Sequence, residues 1–358
     1  MEVNLQFWRG RKVLITGHTG FKGAWLSLWL ESLGAEIAGY SLLPPTQPNL
    51  FDLARVGTGM CSTIGDVRDL KCLSRLIHQH KPSVIFHLAA QSLVRRSYAQ
   101  PVETYATNIM GTVHLLESAR DAPFIKAIIV VTSDKCYENS PESRPFQETD
   151  RLGGRDPYSS SKAAAELVTS AFRASFFTQA VADRKIGIAS VRAGNVIGGG
   201  DWSPDRLIPD VMRAALGKSH LHIRNAHAIR PWQHVLDPLC GYLMLAEKLC
   251  LDPSHFSDSW NFGPELSDTL PVSEVLNRLQ ALWGSEIPWQ TDAAPHLHEE
   301  AALRLNCHKA KTVLGWKSQW NLHDALAKTV EWYKAFSANR DLRSFTLEQI
   351  RTYQSSNS

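Results

Sequence analysis

Short runs of apolar, often β-branched residues recur along the first half of the chain, and segments of helical periodicity separate them. Lys12 to Thr16 (KVLIT) is the first run, and it stops at Gly17. The next segment puts Trp25, Leu28, Trp29 and Leu33 on one helical face and closes at Gly34. Further strands are predicted at 37–40, 60–64, 83–87, 127–132 and 186–191, with helices at 70–80, 101–119 and 157–177. Residues 43–48 must be a loop, because Pro44 and Pro45 forbid both helix and central strand. Strands alternating with helices, in runs apolar enough to be covered on both faces, predict an α/β fold with a doubly wound parallel sheet. After Arg192 the pattern changes. Gly198 to Gly200, Pro204, Pro209, Pro231 and Pro264 cut the chain into shorter elements, which suits a smaller C-terminal α/β lobe. The expected division is 1–194 for a nucleotide-binding domain and 195–358 mainly for a substrate lobe, with a returning segment near 232–262. The polar residues 354–358 are expected to fray.

Composition narrows the function classes. Of 358 residues, 44% are hydrophobic and 20% charged, with Lys+Arg 38 against Asp+Glu 35 and a net charge of +3. That balance argues against disorder and against a nucleic-acid binder, whose basic surplus would be gathered in patches. No run approaches the ~20 apolar residues that span a membrane, and Met1 to Trp8 lacks the apolar stretch of a signal peptide. Six cysteines (Cys61, Cys72, Cys136, Cys240, Cys250 and Cys307) form no CxxC pair and read as reduced thiols of a cytoplasmic protein. His296, His298, Glu299 and Glu300 lack a third ligand at a supporting spacing, so they read as a solvated loop and no metal is expected.

Gly17-His18-Thr19-Gly20-Phe21-Lys22-Gly23 closes the first strand and opens the first helix. Glycines there allow a sharp turn and a close approach to a pyrophosphate at the helix N-terminus. Asp66, just after the third strand, can accept from an adenine amino group. His87-Leu88-Ala89-Ala90-Gln91 ends the fourth strand with small residues that let a cofactor pass close to the backbone. The second strand ends at Gly39-Tyr40-Ser41, with neither a carboxylate for a ribose 2′-hydroxyl nor a nearby cation for a 2′-phosphate. The reading favours NAD over NADP.

Tyr158 and Lys162 stand four apart on one helix and share a face. The ammonium is expected to bring the phenol, which ordinarily ionises near ~10, towards working pH. Ser133, at the end of the fifth strand, can donate to the same substrate oxygen. Asn108 supplies a mid-helix polar group suited to holding a water near the lysine.

These motifs, with Asn108-Ile109-Met110-Gly111-Thr112 and Arg192-Ala193-Gly194-Asn195-Val196, resemble the extended short-chain dehydrogenase/reductase family over residues 12–200 in the right order. The resemblance implies a Rossmann domain, a nucleotide-sugar lobe and a homodimer, or a dimer of such dimers, with the helices at 101–119 and 157–177 as the candidate dimer helices. It implies cofactor contacts at Gly17, Thr19, Gly20, Phe21, Gly23, Ser41, Asp66, Val67, Leu88, Ala89, Ala90, Asn108, Tyr158 and Lys162. The stretches TSDKCY (132–137), AGNVIGGGDW (193–202), RLIPD (206–210) and RPWQHV (230–235) are similar to the nucleotide-sugar 4,6-dehydratases, and among them to the branch acting on CDP-linked sugars. That likeness implies a redox-neutral loss of water serving deoxysugar and surface-polysaccharide synthesis. The catalytic set would be Ser133, Asp134, Lys135, Tyr158 and Lys162, with Asp134 as acid to the departing 6-hydroxyl. Lys135 stands where dTDP- and GDP-sugar members carry Glu. It is expected either to remove the C5 proton or to stay charged and stabilise the enolate. Gln91, Arg95, Asn195, Arg206 and Arg230 are the expected substrate contacts, Arg206 and Arg230 as partners of the diphosphate, Asn195 as an amide donor, and Gln91 and Arg95 towards the sugar. The competing readings are an epimerase or dehydratase on another nucleotide sugar, and a non-catalytic scaffold; an intact Tyr–Lys pair speaks against the scaffold.

Overall fold

In the computed structural model the described residues are 3–138, 144–177, 185–217, 219–291 and 303–356. The histidine and glutamate cluster at 296–300 therefore lies outside them.

Seven parallel strands form the central sheet: β1 (Lys12–Thr16), β2 (Glu36–Ser41), β3 (Cys61–Ile64), β4 (Val84–His87), β5 (Ala127–Val131), β6 (Gly187–Arg192) and β7 (Ser259–Asn261). Their order is β7-β6-β5-β4-β1-β2-β3, so the winding reverses between β1 and β4, where ligands bind in open α/β sheets. Neighbouring residues of one strand feed opposite cores. Val13 and Ile15 join the larger apolar cluster, while Leu14 between them joins the smaller one on the other face. The same alternation repeats at Ile129 against Ile128 and at Ala189 against Ile188. The larger cluster continues into the C-terminal half, and one core therefore holds both parts of the chain together.

The main helices are α1 (Phe21–Ser32), α2 (Leu70–His80), α3 (Gly111–Arg120), α4 (Pro157–Phe176), α5 (Leu207–Gly217), α6 (Leu236–Leu251), α7 (Leu322–Ser337) and α8 (Leu342–Ser355). Two departures from the periodicity reading have physical causes. Helix α1 is buried continuously from Gly23 to Leu30 rather than along one stripe, because α8 returns to cover its outer side. Tyr353 of α8 meets Trp29 edge-on at 5.6 Å and is itself buried, so the helix holds to Ser355 instead of fraying at Gln354. The segment read as one helix over 101–119 is interrupted. Pro101–Tyr105 is helical, Ala106–Met110 forms a wider π turn, and α3 follows. The C-terminal half returns to the sheet a second time. Helix α6 packs on β5 and β6, and β7 then extends the sheet beside β6.

Candidate active site

A cleft of about 960 Å³ runs across the carboxyl ends of β1, β4 and β5. At its β1 end, Gly17 has φ +80°, and a Cβ there would lie 2.7–2.9 Å from the Leu88–Ala89 backbone. A Cβ on Gly23 would fall 2.1 Å from the Gly17 carbonyl oxygen, so this glycine lets the helix press onto the turn. Gly20 differs: only the Gly17 oxygen, at 3.4 Å, would meet its Cβ. Gly20 is also the N-cap of α1 and gives it no side-chain cap, and the first turn carries no acidic residue. Unmet amides, the positive end of a twelve-residue helix and open space above them fit a pyrophosphate. The residues present therefore suit a dinucleotide. Thr19, Phe21, Ser41, Val67, Leu88, Ala89 and Ala90 line the same stretch of wall, and the Thr19 hydroxyl donates to the Leu42 carbonyl at 2.8 Å, joining the turn to the end of β2.

Two expected contacts have other partners here. The Asp66 carboxylate accepts from the Arg68 amide at 2.8 Å and from its guanidinium at 2.8 and 2.5 Å, which holds it below the ordinary carboxylate range. Asn108 sits in the π turn, where its amide exchanges hydrogen bonds with the Gln91 backbone at 2.8 and 3.0 Å and donates to Ser161 at 2.8 Å. It fixes the loop after β4, and the wider turn lets it reach that far.

The catalytic candidates converge at the end of β5. Asp156 caps α4 by accepting from the Ser159 amide at 2.9 Å, Pro157 starts the helix, and Tyr158 follows with its amide bonded to Ser97 at 3.1 Å. The phenol is thus set by a capped helix end, on the side of the cleft that Ser133 also lines. Burial pushes the Tyr158 phenol up to about 12, against the pull of Ser133 and Arg206. The lowering expected from Lys162 is not what the structure shows: Ser133 and Arg206 are the groups that pull the phenol down, while the Lys162 ammonium donates to the Val131 carbonyl at 3.1 Å. Burial brings Lys162 itself down to about 8, opposed by Glu166 and Cys136. Asp134 is buried beside Ser133, whose hydroxyl donates to Oδ1 at 3.0 Å. Its Oδ2 has no hydrogen-bond partner among the described residues and occupies the space a Cβ on Gly194 would take, 1.9 Å away. Lys135 follows in the same turn, partly buried, and lines the cleft.

Towards the C-terminal lobe the cleft is lined by Asn195, held at φ +36°, and by Arg206 and Arg230. Arg206 reaches Asp201 and Ser92, each at 3.1 Å, while Arg230 is buried on the short strand Ile229–Pro231. Arg95 stands on the exposed rim, 3.1 Å from Asp205. Gln91 lines the cleft, but its amide is committed to Leu93 and Thr104, so it shapes the loop.

Three buried or partly buried charges went unread in the sequence. Lys22, named there only within the glycine turn, lines the cleft. Burial, then Arg206 and Lys162, bring its ammonium down to about 7, against Asp134 and Asp201. A lone lysine in the otherwise apolar run FKGAWLSLWL was the available signal. Asp201 is buried against Arg206. Glu166 lies two turns below Tyr158 on the same helical face.

The reversal of the sheet, the glycine turn without a side-chain cap and the Ser-Tyr-Lys set with its buried aspartate therefore stand along one cleft. The family model described as GDP-mannose 4,6 dehydratase matches residues 14–253, and the chain belongs to that family. Within it the chain is 48% identical over 354 residues, 99% of each protein, to the CDP-glucose 4,6-dehydratase of Salmonella typhimurium strain LT2. It is 28% identical to the UDP-glucose 4-epimerase of Halalkalibacterium halodurans, covering 90% of this chain and 95% of that one. Among solved structures, MoeE5 in complex with UDP-glucuronic acid and NAD superposes with a TM-score of 0.76 at 26% identity, covering 91% of this chain and 99% of the other.

Proposed function

We propose that the chain converts CDP-glucose to CDP-4-keto-6-deoxyglucose and water, with NAD in the cleft. The observation that carries this reading is the bare Oδ2 of Asp134 beside the Ser133–Tyr158 pair. Oxidation or epimerisation at C4 needs no acid at C6, whereas loss of the 6-hydroxyl does. The nucleotide rests on the 48% relative, and the cofactor on the glycine turn and on the NAD bound by MoeE5.

Tyr158 takes the proton of the sugar 4-hydroxyl as its phenolate, the form that the Lys162 ammonium and the positive nicotinamide of bound NAD would favour over the buried phenol, and Ser133 holds that oxygen. When bound, NAD would supply the hydride acceptor at C4 and the donor at C6, with a proton returned to C5 as C6 is reduced, so the cycle would close without net oxidation. The 4-ketone makes the C5 hydrogen acidic. Asp134 protonates the departing 6-oxygen, which leaves as water. Lys135, adjacent in the turn, either removes the C5 proton or balances the enolate charge. Arg206 and Arg230 hold the diphosphate, and Asn195 adds an amide donor. Exposed Val102, Tyr105, Met110 and Leu167, on the paired helical segment around the π turn and on α4, support a homodimer. Among the described residues no helix is long and apolar enough to cross a membrane. Six free thiols support a cytoplasmic setting, where the product would feed deoxysugar synthesis.

The test is mass spectrometry of CDP-, dTDP-, GDP- and UDP-hexoses incubated with protein and NAD. Loss of one water from CDP-glucose, without net NADH, is expected. Water loss from another sugar alone replaces the nucleotide assignment, and epimerised UDP-glucose replaces the reaction. In Lys135→Met, solvent deuterium should stop entering C5; unchanged exchange removes both roles of that lysine.

A further inference from the structure

Behind the catalytic residues, α4 carries a third polar group in register with Tyr158 and Lys162. Glu166 is one turn beyond the lysine and 2% exposed. Its Oε1 accepts from the Thr132 hydroxyl at 2.5 Å, and Thr132 is the residue immediately before Ser133. Its Oε2 accepts from Ser190 at 2.6 Å, from the Arg192 guanidinium at 2.7 Å and from Ser259 at 3.3 Å. One carboxylate thus ties α4 to the end of β5, to β6 and to β7. Arg192 carries the tie onward to the Tyr137 hydroxyl at 2.8 Å, which donates to Asn261 at 2.7 Å.

We propose that Glu166 is a positioning residue of the reaction, clamping the Ser133 strand end to the Tyr158–Lys162 helix and placing a carboxylate one turn beyond the Lys162 ammonium. The charged and titratable groups that act on that ammonium, or feel its charge, are Glu166 on α4, Cys136 of the turn after β5, Lys22 from α1 and His87 from β4, with Tyr158 one turn before it on α4. Two of these, Lys22 and His87, feel Lys162 as a like charge, and Glu166 is the strongest influence opposing burial at the lysine. Burial alone would raise the Glu166 carboxyl, but Arg192, Ser190 and Thr132 outweigh it and keep it ionised. The pair is built to hold a charge where solvent cannot supply one.

The pH profile of kcat decides the role, and its assay rests on the dehydratase reading. Loss of the ammonium as pH rises ends activity on the alkaline side, so Glu166→Gln should move that limb about one pH unit lower. Competitive acetylation read by mass spectrometry at Lys162 should show the same shift with neither substrate nor cofactor present. The double variant Glu166→Leu/Arg192→Met leaves no unpaired buried charge and should shift the limb in the same direction if the single variant does not fold. Ser190→Ala removes one hydrogen bond and no charge, and should leave the limb in place. A limb and a Lys162 titration unchanged in both Glu166 variants overturn the proposal and reduce Glu166 to a strut, as does an equal shift in Ser190→Ala. A wild type that leaves CDP-glucose untouched overturns the reaction reading instead, and the acetylation measurement then decides this proposal alone.

Discussion

The turn after β5 and the floor beneath α4 each bury a carboxylate, and they treat it in opposite ways. In the floor, Glu166 meets three hydroxyls and a guanidinium. In the turn, Asp134 meets one hydroxyl and keeps a bare oxygen. Leaving a buried acceptor unmet costs folding free energy, about 1–3 kcal/mol for a neutral group and more for a charged one. A fold that satisfies one carboxylate completely and its neighbour by half leaves the second with acceptor capacity to spare. The difference separates residues that hold the site from residues that act in it.

The largest effect expected from this contrast is on turnover in the turn. Asp134→Asn preserves size and removes the proton donor, so kcat should fall by about 10²–10⁴-fold. The thermal midpoint should not drop, since the variant buries no charge. A large loss of stability with turnover intact would place Asp134 among the structural groups.

The floor should answer in stability. Arg192→Met leaves the Glu166 carboxylate buried without its cation, and breaking a buried pair in this way costs about 3–5 kcal/mol. Urea unfolding measures it, and a change under 1 kcal/mol would mean the serine and threonine donors suffice alone.

Why one of these regions was legible in the sequence and the other was not follows from the range of the interactions. The glycine turn and the Tyr158–Lys162 pair are local spacings, and local spacing survives in a sequence. The strand ends were legible within about a residue, because apolar runs stop where the sheet stops. Glu166 and Arg192 lie on different elements, and nothing in the sequence distinguishes a buried ion pair from two solvated charges. The π turn was illegible because apolar periodicity does not register one widened turn, and the breadth of burial on α1 became visible only with α8 lying over it. Asp134 was readable through resemblance; its bare oxygen, which gives the role physical content, depends on Gly194 sixty residues away.

Asp237 is intermediate between the two cases. Its Oδ1 accepts from the Gln319 amide at 2.7 Å and the Tyr353 hydroxyl at 2.8 Å, while Oδ2 is buried without a partner among the described residues. Burial raises this carboxyl to about 7, against those hydrogen bonds, whereas in the unfolded chain it ionises near ~3.9. Between those values the folded state holds the proton and the unfolded state has lost it. Stability is therefore fullest below about 4, falls as pH rises towards about 7 and levels off above. Thermal midpoints of wild type and Asp237→Asn should diverge across that window and run parallel beyond it. Parallel curves throughout would show that the carboxyl titrates normally.

Asp66 should give the smallest effect, and it tests the contrast from the satisfied side. Its place after β3 suits an adenine amino group, yet both oxygens are already engaged by Arg68. The pair is partly exposed, with side chains 41% and 27% accessible, where an ion pair contributes little. A carboxylate neutralised in this way offers an exocyclic amine one weak hydrogen bond, so Asp66→Asn should weaken NAD binding less than about tenfold. Titration calorimetry with NAD measures that directly. A loss of a hundredfold or more would mean that the carboxylate releases Arg68 when the cofactor arrives, and that occupancy by an internal partner does not mark a group as merely structural.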